Sequence, residues 1–246
     1  ERLAPRYLQV TLGGGDLSTF RSVGGEQFVY VLLPPVGGDK LTIDADFTWE
    51  EYQQLPEDQR PRGAYYTVRR WRPDVGELDM IVVLHHDNPD DDRTAWVSTW
   101  AEQAAPGQPV ALWGPRTDYE PPAATTHYLM VAEETALPAA AAILEELPTD
   151  IGATVVIEVA DADHHLPLVE RDNVAVHWLH RDGARPGTTT ALIDTVRGLD
   201  LSPDGLYAWG GGESHQMTAV RNHVRNDVGV GRQQCSLLAY WRLATD

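Results

Sequence analysis

The chain predicts two domains of different construction: an N-terminal antiparallel β-barrel over residues 1–122, then an α/β domain with a parallel sheet over residues 123–246. Three observations carry that reading. Before residue 120 the apolar runs are short, β-type and separated by Gly and Pro. From His127 the pattern changes to strand, helix, strand, helix, as in a parallel sheet covered on both faces. Pro121-Pro122-Ala123-Ala124 stands between the two regimes as a linker.

In order, Tyr7–Leu12 and Gln27–Leu33 read as strands ended by the turns Gly13-Gly14-Gly15 and Pro34-Pro35. The glycine triplet follows no βα pattern, so it reads as a turn and not as a phosphate loop. Lys40–Ile43 reads as a short strand. Thr48–Leu55 reads as a helix, because Thr48 can cap it and Glu50 and Glu51 suit its positive end. Within Pro61–Arg72, Tyr65-Tyr66-Thr67-Val68-Arg69 is a β-type run; alternation puts Tyr66 and Val68 on one face, Thr67 and Arg69 on the other. Glu77–His85 is a nearly all-apolar strand and Asp87–Arg93 an acidic loop. Thr94–Ala105 has helical spacing, with Trp96 and Trp100 four apart. Val110–Trp113 closes the barrel, and Gly114-Pro115 ends that strand.

In the second domain Tyr128–Ala132, Val155–Ala160, Val174–Leu179, Leu206–Trp209 and Leu237–Trp241 read as strands. Leu137–Leu147, Thr188–Gly198 and Ser214–Val228 read as helices, with Pro138 tolerated in a first turn. Ligands of such sheets bind beyond the carboxyl ends of the strands. Those ends are Ala132–Thr135, Ala160–Asp163, His180-Arg181 and Gly210–Glu213. Gly-x-Gly-x-x-Gly, Walker and Gly-x-Ser-x-Gly fingerprints are absent.

Composition narrows the partners. The 246 residues carry 37 acidic and 19 basic side chains, a net charge of −18. A nucleic-acid binder shows a basic surface, so no such partner is expected. No apolar run approaches the ~18–20 residues of a membrane span. The first residues do not resemble a signal peptide, and Cys235 is the one cysteine, which suits a reducing, cytoplasmic setting.

Tyr66-Thr67-Val68-Arg69 sets a phenol ring, a hydroxyl and a guanidinium together, a combination that suits a flavin dinucleotide: ring contact, a ring-nitrogen hydrogen bond, and a phosphate fork. The tetrapeptide resembles the core motif of the siderophore-interacting proteins, flavin reductases of the ferredoxin-reductase superfamily. Ser98-Thr99-Trp100-Ala101, Glu134-Thr135-Ala136-Leu137-Pro138-Ala139, Gly212-Glu213 and Tyr240-Trp241-Arg242 follow in the family's order, so the resemblance spans about residues 60 to 242.

The resemblance implies FAD on the barrel, NADPH or NADH on the α/β domain, and reduction of siderophore-held Fe(III) to Fe(II). Residue by residue, it implies Tyr66 against the flavin ring and Thr67 at its reactive nitrogen, with Val68, Arg69 and His85 completing the seat. Ser98, Thr99 and Trp100 begin a helix whose N-terminus would face the pyrophosphate. Thr135, Gly212 and Glu213 fall on the nicotinamide side. Arg181 is the candidate for a 2′-phosphate, which Asp161 and Asp163 would repel; its alternative is a surface charge. Arg116, Arg181 and Arg242 are basic candidates for the siderophore. No catalytic side chain beyond the flavin is required, and no resident metal is expected. The alternative to a flavin contact at His85 is a metal site shared with His86, Asp90, Asp91 and Asp92, but neighbouring strand-end histidines point apart.

The chain departs from the family pattern at Ala64, His86, Ala95 and Ala132. With Ala64 two residues before the tyrosine, Arg62, Arg69 or Arg70 must supply the phosphate contact. Two other functions compete: a non-catalytic siderophore binder, and a flavin reductase with another acceptor. An acidic ferredoxin fits poorly against a charge of −18. At long range the same charge favours near-neutral hydroxamate chelates over triscatecholates.

Overall fold

The computed structural model describes residues 1–35, 38–85 and 95–243. The first half forms seven strands: β1 (Arg2–Ala4), β2 (Tyr7–Gly13), β3 (Phe28–Leu33), β4 (Arg62–Thr67), β5 (Arg70–Arg72), β6 (Glu77–Val83) and β7 (Ala111–Arg116). They pair antiparallel into two sheets, ordered β1-β2-β6-β5 and β4-β3-β7. The chain crosses between the sheets just after β4: the Val68 N–H donates to the Gln27 carbonyl and the Arg69 N–H to the Asp79 carbonyl. The expected antiparallel N-terminal domain is thus two facing sheets, whose ladders do not close into a ring among the described residues. Alternate apolar residues meet between them, including Val29, Val31, Leu78, Met80, Val82 and Val97.

Three local readings are corrected. Lys40–Ile43 joins no ladder; it bends, and the Thr42 hydroxyl donates to the Gln59 carbonyl. β7 does not stop at Gly114-Pro115: Gly114 takes φ +143°, a bulge opposite β3 absorbs the irregularity, and the strand continues to Arg116. Helix α2 (Ala95–Gln103) is under way before Ser98. Helix α1 (Trp49–Gln54) forms as read, held by a reciprocal cap between Thr48 and Glu51.

The second half is a five-stranded all-parallel sheet, β8 (His127–Glu133), β9 (Gly152–Val159), β10 (Val174–His180), β11 (Leu206–Glu213) and β12 (Cys235–Trp241), in the order β10-β9-β8-β11-β12. Helices α3 (Leu137–Glu146), α4 (Ala191–Arg197) and α5 (Ser214–Asn222) cover its faces. The strand order reverses between β8 and β11, which opens a crevice at their carboxyl ends. β11 runs four residues further than its apolar pattern indicates, because its glycines belong to the sheet. A Cβ at Gly210 would lie 2.2 Å from the Val131 carbonyl oxygen, and one at Gly211 2.7 Å from the Tyr240 ring. Among the described residues no helix is long and apolar enough to cross a membrane.

The two halves share one apolar core. Tyr7, Ile81 and Val83 leave the outer face of the first sheet and pack among Met130, Ala136 and Ile143. At Gly25 the backbone presses onto α3, where a Cβ would lie 3.0 Å from the Ile143 Cα. Beside it the Arg69 guanidinium donates twice to the Glu145 carboxylate, at 2.9 and 2.5 Å. Gly25→Val is expected to wedge this seam and cost ~1–3 kcal/mol, the usual range for overpacking. A urea titration checks it, and an unchanged midpoint contradicts the packing.

Candidate functional site

Where the strand β4 ends, the chain is buried although its residues are mostly polar. Thr67 is 9% exposed and pairs with Phe28, while Tyr66 is half-buried over the core of the facing sheets. Burial pushes the Tyr66 phenol well up. Strict alternation stops at Thr67, because Val68 turns inward as the chain crosses sheets.

The arginines separate by partner. Arg69 is bound to Glu145, Arg70 lies 3.9 Å from the same carboxylate, and Arg72 bridges Glu77 and Asp79. Arg62 has no carboxylate partner among the described residues and lies over the Trp96 ring, 5.8 Å from its centroid, beside the first turn of α2. Of the three candidates for a phosphate contact, it is the one whose guanidinium is uncommitted to an acid.

The Ser98 hydroxyl is buried one turn into α2 and accepts the His85 N–H at 3.0 Å. It therefore ties the end of β6 to the helix and does not sit at the helix start, as the sequence reading had it. Thr99 is exposed, Trp100 packs on the barrel-side core, and His85 is half-buried. The remaining members of the metal alternative, His86, Asp90, Asp91 and Asp92, lie outside the described residues.

At the carboxyl ends of the parallel sheet the acids are buried. Glu133 accepts the Thr135 N–H at 3.2 Å, the Thr135 hydroxyl, and the Trp241 indole N–H at 3.3 Å. Burial pushes its pKa up to about 7. Glu134 accepts the Ala160 N–H and Arg181 Nη2 at 2.6 Å; the other Arg181 nitrogen, Nη1, is 3.8 Å from Glu158. Arg181 is only 6% exposed, so the surface-charge reading is corrected. Its guanidinium lies between two strand-end carboxylates, with Nε and Nη1 lacking a hydrogen-bond partner among the described residues.

Glu213 is fully buried and caps α5, accepting the His215 and Gln216 N–H groups. Gly212 lies beside it in the strand. Arg116 and Arg242 are exposed, and Arg116 stacks 4.1 Å over the Trp113 ring centroid.

Sequence reasoning missed Glu26. It is 1% exposed two residues before β3, and one oxygen accepts the Thr117 hydroxyl and the Asp118 N–H, both at 3.0 Å. Its other oxygen has no partner and faces the second domain near the Trp209 indole. Burial raises its pKa to about 7. A glutamate between Gly25 and Gln27 reads as a solvated turn. Glu158 did leave a signal: an acid inside the otherwise apolar run Val155–Val159.

A flavin dinucleotide fits this donor set. Tyr66 offers ring contact, Thr67 a hydroxyl, and Arg62 with the start of α2 offers positive charge for a pyrophosphate.

Facing antiparallel sheets followed by this parallel sheet are the two-domain architecture of ferredoxin reductases. Residues 1–119 match the family model described as siderophore-interacting FAD-binding domain, and residues 125–244 match that of siderophore-interacting protein. A siderophore utilization protein from T. fusca has the same structure at a TM-score of 0.84 and 30% identity, covering 100% of this chain and 90% of its own. The ferric vibriobactin reductase ViuB of Vibrio cholerae is 26% identical over 244 residues, 98% of this chain and 85% of that protein. The NADPH-dependent ferric-chelate reductase of Escherichia coli is 26% identical over 247 residues, 98% and 89% of the two chains. The chain belongs to the siderophore-interacting protein family.

Two outcomes follow from the buried charges. Arg181→Ala strands Glu134 and Glu158, so stability should fall by ~3–5 kcal/mol while any NADPH-to-NADH preference is unchanged; a shift in preference with stability intact would return Arg181 to the cofactor. Glu26 and Glu133 hold protons in the folded state that the unfolded chain releases at its ordinary carboxyl pKa. Stability should therefore fall as pH rises from about 4.5 to about 7 and level off above, by up to roughly 3 kcal/mol per group. Glu26→Gln should flatten that slope in urea titrations, and an unaltered slope contradicts it.

Proposed function

We propose that the protein is a ferric-siderophore reductase that uses FAD and NADPH or NADH. One observation supports the reading: two residues beyond Thr67, Arg69 is forked to Glu145 of α3, the helix that follows β8, so the Tyr66-Thr67 strand end stands against the second domain. A flavin seat and a nicotinamide seat must adjoin in this way for direct transfer. When bound, FAD accepts a hydride from NAD(P)H and gives up its two electrons singly to two Fe(III) ions.

The chain supplies position and charge. Tyr66 would pack on the ring, and the Thr67 hydroxyl would be available to a ring nitrogen. Val68, His85 and Trp100 wall the seat, Arg62 and the first turn of α2 hold the pyrophosphate, and Ser98 fixes that helix to β6. Arg69 marks the contact between the domains through its fork to Glu145. On the other side Thr135, Gly212 and Glu213 shape the nicotinamide crevice. With Arg181 turned inward, Asp161 and Asp163 set the local charge near a ribose and oppose a 2′-phosphate, although the Escherichia coli relative is named for NADPH. We place the reaction in the cytoplasm, where the single Cys235 stays reduced.

The test is anaerobic incubation of the FAD-loaded protein with NAD(P)H and a ferric siderophore, with Fe(II) trapped by a coloured chelator. The reading predicts two Fe(II) per nicotinamide oxidised. Siderophore binding without Fe(II) would make the protein a non-catalytic binder, and nicotinamide oxidation without Fe(II) would assign another acceptor. Tyr66→Ala is expected to weaken FAD binding by ~1–3 kcal/mol, on the scale of ring stacking, and Thr67→Val to shift the flavin potential more than the affinity. Visible absorbance and redox titrations check both; unchanged values in both variants would move the flavin elsewhere.

A further inference from the structure

At the outer edge of the parallel sheet two imidazoles face each other. β10 is an edge strand with His180 as its last residue, and His165 lies in the crossover between β9 and β10. Their Nε2 atoms are 2.9 Å apart, with ring centroids 5.1 Å apart and planes at 32°. The Trp178 indole stacks on the His165 ring, centroids 4.0 Å apart and planes 15° apart, and fixes that ring's orientation. Trp178 and His180 are two apart on β10, so they share one face of the strand. His180 is exposed and His165 half-buried, so the pair is open to solvent.

The surroundings suit a cation. The Asp161 carboxylate lies within charge reach of both rings, with Oδ1 held by His164 Nδ1 at 2.6 Å and by the Asp163 N–H at 3.0 Å. The net charge of −18 adds a long-range pull on positive ions. Imidazole nitrogen is a borderline donor that suits Fe(II), Ni(II), Cu(II) and Zn(II), whereas hard ions such as Mg(II) prefer oxygen. Two such nitrogens bound ~2.1 Å from one ion, at right angles about it, stand roughly 3 Å apart. Turning the exposed His180 ring therefore brings both lone pairs onto an ion without moving a strand. Among the described residues no group of three or more His, Cys, Asp or Glu side chains forms a metal site. Water completes the sphere here, and the ion is exchangeable, unlike one in a closed four-ligand structural site.

We propose, on the reductase reading above, that His165 and His180 form a two-imidazole site for a labile divalent transition ion, and that its ion in turnover is the Fe(II) the reaction releases. The site stands at the carboxyl end of β10, two strands, or about 10 Å, from the β8 end that borders the crevice. With both rings neutral, one Nε2 donates its proton to the other. On binding, that proton shifts to Nδ1 of the same ring, so both Nε2 lone pairs meet the ion and no net proton or electron is exchanged. Oxygen chelators that hold Fe(III) tightly hold Fe(II) less well. A borderline nitrogen pair has the opposite preference, so it takes up reduced iron without competing for the ferric substrate.

Binding is read without turnover. The full chain is titrated calorimetrically with Fe(II) under anaerobic conditions, and in parallel with redox-inert Ni(II) and with Mg(II). The site predicts that Fe(II) and Ni(II) each bind at one ion per chain and that Mg(II) does not bind there. His165→Gln and His180→Gln should each weaken Ni(II) at least about tenfold, the lower end of what even an outer-shell change costs a metal site, while His223→Gln should not. In the wild type, Ni(II) should broaden the ring resonances of His165 and His180 before those of other histidines, a readout that needs no variant. No binding of Fe(II) or Ni(II), wild-type affinity in both pair variants, or earlier broadening of other histidines overturns the proposal. Competition by Mg(II) overturns it too, by putting the ion on Asp161 and Asp163. Fe(II) binding without Fe(II) production from a ferric siderophore supports the site and counts against the reductase reading alone. Fe(II) production by a chain that binds no Fe(II) does the reverse.

Discussion

The seam between the two sheet systems is the constraint on which the rest depends. At Gly25 the chain lies against α3 closely enough that a side chain cannot intervene, and this fixes where β3 begins. β3 in turn sets the register of β4, and so the positions of Tyr66 and Thr67. The Arg69–Glu145 fork marks the seam but does not hold it: a pair this exposed is worth at most about 1 kcal/mol. Burial of Tyr7, Ile81 and Val83 in the shared core is larger, at ~1.5–3 kcal/mol for each fully buried apolar side chain. The apolar seam sets the position of the site, and the polar groups tune it.

Those polar groups are costly where they stand. Glu26, Glu133, Glu134, Glu158 and Glu213 are all buried, and each is met by specific donors. Arg181 neutralises two of them across three strand ends. A crevice whose walls are fixed in this way offers a cofactor a rigid boundary without rearrangement on binding.

Much of the architecture was legible because it is written in local pattern. The alternation after His127, the Thr48 cap and the nearly continuous apolar run of β6 each produced the element read from them. What failed depended on partners distant in sequence. Lys40–Ile43 has strand-like residues but no ladder to join. Ser98 looked like a helix-starting hydroxyl, and its bond to the His85 N–H depends on how β6 meets α2. Arg181 offered either a surface charge or a phosphate contact from sequence; only the spacing of β8 and β9 shows that it answers Glu134 and Glu158. The aromatic cluster of Phe28, Tyr30, Tyr65, Trp113 and Trp49 was invisible for the same reason, since its rings come from three strands and one helix.

On the proposed function, the strand end at Tyr66-Thr67 and the first turns of α2 form a flavin seat that adjoins the crevice of the parallel sheet. Amide hydrogen exchange of the chain with and without saturating FAD tests it directly. The account predicts slowed exchange in Arg62–Arg70, in Ala95–Gln103 and at the carboxyl end of β12, with the β10 edge unchanged. Protection confined to other segments, or none in Arg62–Arg70, would contradict it.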